Sequence, residues 1–65
     1  MSGAEIAATR HLIGLSQAEY AAELHVSRDA IKGWEAGTFG AKPGVVADIA
    51  SLRAAHDREV ARLLA

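Results

Sequence analysis

The sequence is short of several features, and each shortage removes a class of protein. It contains no cysteine, which excludes a disulfide framework and a thiolate metal site and fits a reducing, cytoplasmic setting. No apolar run approaches the roughly 20 residues of a membrane-spanning helix. The first ten residues lack the basic start and the apolar stretch of a secretory signal. We therefore expect a cytoplasmic protein that does not enter the membrane.

Size and charge set two further limits. A chain of 65 residues forms at most one domain, here 1–65, and its modest core makes oligomerisation a common remedy. Basic residues are not in excess, because the formal net charge is −1 and the sequence pI is about 6.2. Nucleic-acid-binding domains are usually basic, so this balance counts against that role unless positive charge is concentrated on one face.

The stretch from Ser16 to Gly37 predicts two short helices joined by a tight turn. Ser16 and Glu19 have the S-x-x-E spacing of a capping box, and Ser27 can cap the second helix. The sharp bend between the helices needs a positive φ at His25, and histidine is among the residues enriched in that conformation. Apolar residues are expected to meet between the two helices at Tyr20, Ala21, Leu24, Val26, Ile31 and Trp34.

Helices are also predicted on both sides of this unit. Met1 to Ile13 predicts a first helix, with apolar positions that include Leu12, and a second S-x-x-E signal near its start. Pro43 suits the first turn of a final helix, along which apolar residues recur at spacings of three and four. The first half of this stripe, Val45 to Leu52, is expected to pack on the first and third helices.

The second half of the C-terminal stripe has no partner within the chain. It therefore predicts a dimer interface formed by His56, Val60, Leu63 and Leu64. The predicted fold class is all-α, a compact four- to five-helix domain. Its parts are a helix-turn-helix at 17–36 and an extended C-terminal helix at 43–64.

At this point the residues resemble a known family. GLSQAEYAAELHVS, followed by AIKGWEAG, is similar to the helix-turn-helix domain of Cro and the lambdoid phage repressors, which includes many bacterial regulators and antitoxins. The similarity joins a Leu-Ser-Gln helix start, the small Ala21, a Val-Ser junction and Trp-Glu-x-Gly from Trp34 to Gly37. It covers Ile6 to about Leu52 and implies a lambda-repressor-like, XRE-type fold.

The resemblance implies DNA-binding roles by position. Gln17 resembles the glutamine that clamps a DNA phosphate, and Ser27, Arg28 and Asp29 begin the recognition helix, whose N-terminal residues contact base edges. Arg28 is expected to bind guanine, whereas Asp29 either accepts a hydrogen bond from cytosine or orients Arg28. Lys32 reaches a base or a phosphate. The loop after this helix is expected to hold the DNA backbone through Thr38 and Lys42.

The resemblance also implies that Arg10 is structural, in an ion pair with Glu35. Three departures from the family pattern stand beside it: His25 replaces the usual glycine of the turn, the loop TFGAK has one basic residue, and the C-terminal segment is one long helix. A plain alternative remains for the charged residues, because Arg28 and Lys32 also suit a solvated helix face. Asp29 also suits the positive end of a helix dipole.

Two other residues leave alternatives open. Gly33 is expected to face outward, where it either allows the close approach of a partner or is tolerated at a cost of about 1 kcal/mol relative to alanine. Phe39, in a loop flanked by glycines, either covers the core or lies exposed. Trp34 is expected in the core.

Together these features predict a sequence-specific, double-stranded DNA-binding regulator of transcription. We expect a small repressor, Cro-like or antitoxin-like, that binds a palindromic operator as a homodimer through the major groove and is controlled by its own concentration or by a partner protein. No nucleophile–base–orienter set is found, so no enzyme activity is predicted, and no cofactor or metal is expected because the three histidines do not form a ligand cluster. The alternative is a protein–protein interaction module that kept the fold and binds little DNA.

Overall fold

The computed structural model describes all 65 residues, and it contains four α-helices and no strand. The helices are α1 (Gly3–Leu12), α2 (Gln17–Leu24), α3 (Arg28–Ala36) and α4 (Pro43–Leu64). The all-α fold class is confirmed, with four helices. α4 has the bounds predicted for it, whereas α1 is shorter at both ends than the predicted Met1–Ile13. None of the helices, including the 22-residue α4, combines the length and the apolar character needed to cross a membrane.

Serine side chains fix where α1 and α2 begin. Ser16 Oγ accepts a hydrogen bond from the Glu19 amide at 3.1 Å, and the Glu19 carboxylate accepts one from the Ser16 amide at 2.8 Å. Ser2 and Glu5 form the same reciprocal box at the start of α1. Because these bonds favour the charged carboxylate, they lower the pKa of Glu5 and of Glu19. Both predicted capping boxes are therefore confirmed.

One apolar cluster joins all four helices. Its side chains are Ile6, Tyr20, Ala21, Leu24, Ile31, Trp34 and Ile49. Five of the six residues predicted to meet between α2 and α3 are among them, and the sixth, Val26, is partly buried against the cluster. The core therefore fixes the angle between the two helices of the turn unit.

α4 packs on α1 and α2 through its first half only. Ile49 is fully buried, and Val45 and Leu52 are partly buried against the core. The predicted packing of α4 on α1 is confirmed, whereas α2 rather than α3 is its second main partner, because α3 packs mainly on α1 and α2. From Asp57 onward every residue is exposed, and the molecule measures 40 × 20 × 19 Å.

Candidate nucleic-acid interface

The turn between α2 and α3 depends on one unusual backbone conformation. His25 has φ 56° and ψ 42°, in the left-handed region, as the sequence predicted. This conformation closes α2, because the Val26 amide donates to the Ala21 carbonyl at 3.0 Å and the His25 amide to Ala22 at 3.3 Å. The chain then enters α3 directly at Ser27. The bend therefore sets the direction in which α3 leaves the body of the domain.

The N-terminal half of α3 presents charged side chains to solvent. Ser27 Oγ caps the helix by accepting from the Ala30 amide at 3.1 Å. Arg28, Asp29 and Lys32 are exposed, and residues three or four apart lie on one face of a helix. Ile31, in contrast, is fully buried in the core. The structure therefore brings together the three predicted base-reading residues on one outer face, next to the cap.

A hydrogen-bonded network holds α3 to α1 and α2. Arg10 Nε lies 2.7 Å from Glu35 Oε2, and the two side chains are only 12% and 9% exposed. A second Arg10 nitrogen donates to Glu35 Oε1 at 3.0 Å, and a third donates to the Leu15 carbonyl at 3.1 Å. The hydrogen bond from Arg10 lowers the pKa of Glu35. The implied structural ion pair is therefore confirmed.

Gln17 belongs to the same network, which sequence reasoning missed. Its amide nitrogen donates to Glu35 Oε1 at 3.2 Å, across a separation of 18 residues in the sequence. The side chain is partly buried at the start of α2. An amide nitrogen carries two protons, and one of them remains for another acceptor. The phosphate contact of Gln17 stays a prediction, and the observed bond adds a structural role.

The loop after α3 begins with a helix-closing motif. Gly37 has φ 76°, its amide donates to the Trp34 carbonyl at 3.1 Å, and the Thr38 amide donates to the Gly33 carbonyl at 2.9 Å. These two bonds satisfy carbonyls that the end of a helix leaves open. Thr38 and Lys42, the predicted backbone contacts, are exposed at the two ends of the loop, and Lys42 is the N-cap residue of α4.

The prediction that Gly33 faces outward is wrong, because Phe39 covers it. A Cβ atom added at position 33 would overlap the Phe39 ring. Gly33 is buried, whereas Phe39 remains 52% exposed. The aromatic ring thus lies on bare helix backbone, which explains why a glycine stands in the middle of α3. The available signal was a mid-helix glycine followed by an aromatic residue just beyond the helix end.

Positive charge that is free of ion pairs is concentrated near α3 and its loop. Arg10, Arg53 and Arg62 form ion pairs with carboxylates. Four basic side chains remain that have no carboxylate within ion-pair distance: Arg28, Lys32, Lys42 and Arg58. All of them except Arg58 belong to α3 or to the loop after it. The net charge of −1 therefore conceals an uneven distribution of unpaired positive charge along the chain.

The predicted dimer residues lie at the far end of α4. His56 is partly buried, Val60 is exposed, and Leu63 and Leu64 are 77% and 82% exposed. Leu12 was predicted only as an apolar position of the first helix, but it is also exposed. Leu12, Val60 and Leu64 line an open groove of about 390 Å³ between α1 and α4. The apolar surface thus includes α1, and its role in pairing stays a prediction.

Comparison with known proteins identifies a family for the whole fold. The family model described as "Helix-turn-helix domain" matches residues 3–63, a range that includes α1, α2, α3 and nearly all of α4. No curated protein and no solved structure matches the chain.

Proposed function

The chain belongs to the helix-turn-helix domain family, and we propose that it is a sequence-specific regulator of transcription that reads double-stranded DNA with α3. The family points to DNA binding in general. The more specific reading is supported by one observation, the exposed outer face of α3. There Arg28 and Lys32 have no ion pair in the free protein and remain available to DNA.

Base reading is assigned to the start of α3. In helix-turn-helix complexes the N-terminal residues of the second helix contact base edges in the major groove. We assign to Arg28 two hydrogen bonds to guanine O6 and N7, and Asp29 either accepts from cytosine N4 or orients Arg28. Lys32, one turn further on, contacts a base or a phosphate. Ser27 stands at the cap beside them.

Backbone contacts are assigned to the residues that flank this face. Thr38 and Lys42 lie near the two ends of the loop after α3. Gln17 is the first residue of α2, and one proton of its side-chain amide is free to donate to another acceptor. Phosphate contacts set the register of a protein on DNA and supply much of the affinity, but they carry no direct sequence information. With one lysine in the loop, each copy makes few such contacts, so its affinity for DNA is expected to be low.

Pairing of two copies as a homodimer of Cro-like, XRE type would compensate for the low DNA affinity of each copy. Two copies place their α3 helices in successive major grooves, roughly 34 Å apart, and linking two weak half-site contacts raises overall binding sharply. Pairing is supported by the exposed apolar side chains of Val60, Leu63, Leu64 and Leu12, which lie beside the partly buried His56. Bound at a palindromic operator in the cytoplasm, the dimer acts as a small repressor by occluding promoter DNA, and an antitoxin held by a partner protein has the same requirements. This role involves no catalysis.

A second candidate is a protein–protein interaction module on the same fold. The acidic balance and the single lysine of the loop favour it, because both limit phosphate contacts. The exposed apolar end of α4 would serve such a module equally well.

Selection of bound duplexes from a random DNA pool tests the proposed function. We expect enrichment of a palindromic sequence with two half-sites. Arg28→Ala should relax the preference at one position of each half-site, since a lost bidentate pair costs about 1–3 kcal/mol of discrimination. Arg58→Ala is the matched control, because Arg58 is also exposed and free of ion pairs but lies on α4. Failure to enrich any sequence would favour the interaction module.

A further inference from the structure

Phe39 is a half-exposed aromatic residue beside the recognition helix, and the predicted DNA contacts give it no role. It is one of three aromatic residues in the chain, and the other two, Tyr20 and Trp34, are buried in the core. The Phe39 ring lies so close to the Gly33 backbone that a Cβ atom at position 33 would overlap it. Two features of the sequence, a mid-helix glycine and a loop aromatic, thus form one contact.

This contact ties the first half of the loop to α3, whereas the second half is held by Ala41, which is partly buried against the core. At the start of the loop, the Thr38 amide bonds to the Gly33 carbonyl at 2.9 Å, so ring and backbone meet α3 at the same residue. Further along, a Cβ atom added at Gly40 would meet no other atom within 4 Å. The loop then leads into α4, which packs mainly on α1 and α2.

The two halves of the DNA surface therefore belong to elements with little direct packing between them. Arg28 and Lys32 lie on α3, whereas Lys42 opens α4. The shared core includes Ile49 of α4 with Ile31 and Trp34 of α3, and it therefore sets where α4 stands relative to α3. It does not reach the first half of the loop, where Phe39 is the side chain that lies on α3.

We propose that Phe39 is a positioning residue that holds the loop 37–42 against the recognition helix, so that Thr38 and Lys42 meet phosphates while α3 faces the bases. This rests on the proposed function, since it assumes that the surface binds DNA. Half of the ring stays in solvent, so its loss removes little core. Gly33 is required because any larger residue would displace the ring.

The salt dependence of DNA binding tests this role. In the otherwise unchanged protein, Lys42→Ala should reduce the magnitude of the slope of log affinity against log salt by about one, the value for one lost phosphate contact. Phe39→Ala removes no charge, yet it should lower the slope by a similar amount. In the double variant the slope should fall no further, because Lys42 has already lost its phosphate. Phe39→Tyr keeps the ring and should keep the slope.

Gly33→Ala gives a second, independent variant. Alanine favours the helix by up to about 1 kcal/mol relative to glycine, so this variant retains α3. It should nevertheless displace Phe39 and lower the salt slope as Phe39→Ala does. A purely structural role for Phe39 would change the melting temperature and leave the slope and the effect of Lys42→Ala unaltered.

Several results would overturn the positioning role. One is a wild-type slope in Phe39→Ala or in Gly33→Ala, and another is an equal effect of Lys42→Ala with and without the Phe39 ring. In those cases DNA binding itself stands and only the role of Phe39 fails. If the wild-type protein binds no duplex at low salt, the proposed function and the positioning role both fail. This outcome is distinguishable because no variant then has a measurable salt slope.

Discussion

At the scale of single residues, His25 carries the conformation on which the turn depends. It is the only non-glycine residue with a positive φ, and the left-handed region costs an L-residue other than glycine roughly 1 kcal/mol or more. His25→Gly should therefore raise the free energy of unfolding by up to about 1 kcal/mol, after allowance for the greater freedom of glycine in the unfolded chain. Urea unfolding measures this. His25→Ala is the control and should not stabilise, and a glycine variant less stable than wild type would contradict the strain.

Glu35 makes the stability of the domain depend on pH in a definite direction. Its pKa lies below the ordinary 4.5 in the folded protein because Arg10 bonds to the carboxylate, whereas the unfolded chain has the ordinary value. The stabilisation is therefore complete above about pH 4.5 and is lost as the pH falls through the folded pKa.

Replacing Glu35 tests that direction. Glu35→Gln should cost about 2 kcal/mol at neutral pH, as expected for a charge-assisted hydrogen bond, and should flatten the loss of stability below pH 4.5. Melting temperatures measured from pH 3 to 7 give both quantities. Glu23→Gln is the control, because that carboxylate is exposed and forms no ion pair. An acid dependence unchanged in Glu35→Gln would assign the effect to other groups.

At the scale of helices, the sequence predicted contacts between neighbouring residues better than contacts between residues far apart in the chain. The caps at Ser2, Ser16 and Ser27 and the left-handed His25 involve groups within four residues of one another, so the sequence pattern alone predicts them. The contact between Gln17 and Glu35 spans 18 positions and depends on how helices cross, which a single sequence does not encode in any simple pattern. The Arg10–Glu35 pair spans 25 positions and was reached only through the family resemblance.

The same limit explains the errors in α3 and α4. The outward placement of Gly33 followed from the helical period, which takes no account of a later loop residue folding back over the helix. The packing partners of α4 depended on which faces α1 and α2 leave free, and the same packing leaves Leu12, an apolar position of α1, exposed.

The end of α4 carries a prediction about assembly. Val60 and Leu64 continue the face that packs on the core at Ile49 and Leu52, but beyond the body of the domain. Val60→Glu with Leu64→Glu should convert a dimer into a monomer, because the pairing surface would then bury two carboxylates. Sedimentation equilibrium measures the mass.

The matched control places the same charge elsewhere on α4. Ser51→Glu with Ala55→Glu adds two carboxylates at exposed positions outside the stripe and should leave the mass unchanged. If the Val60 and Leu64 variant keeps the mass of a dimer, the assigned interface is wrong. If wild type is already a monomer, the domain does not pair through this surface.

At the scale of the whole molecule, function depends on how charge is distributed rather than on its sum. The net charge of −1 gives no general attraction to DNA. The basic side chains free of ion pairs nevertheless gather around α3, and a network of Arg10, Glu35 and Gln17 holds that helix in place. In the proposed dimer, the apolar end of α4 would join two such surfaces. A DNA reader with so few basic residues is expected to bind specific sites as a dimer and random duplex only weakly.

The most direct test of DNA reading by α3 is a titration of the protein against duplex DNA over a salt series. We expect log affinity to fall linearly with log salt, because bound phosphates release counterions. Arg28→Ala and Lys32→Ala should weaken binding, whereas Arg58→Ala should have little effect. No binding by wild type at low salt, or affinities unchanged in both α3 variants, would contradict DNA reading by α3 and favour the interaction module.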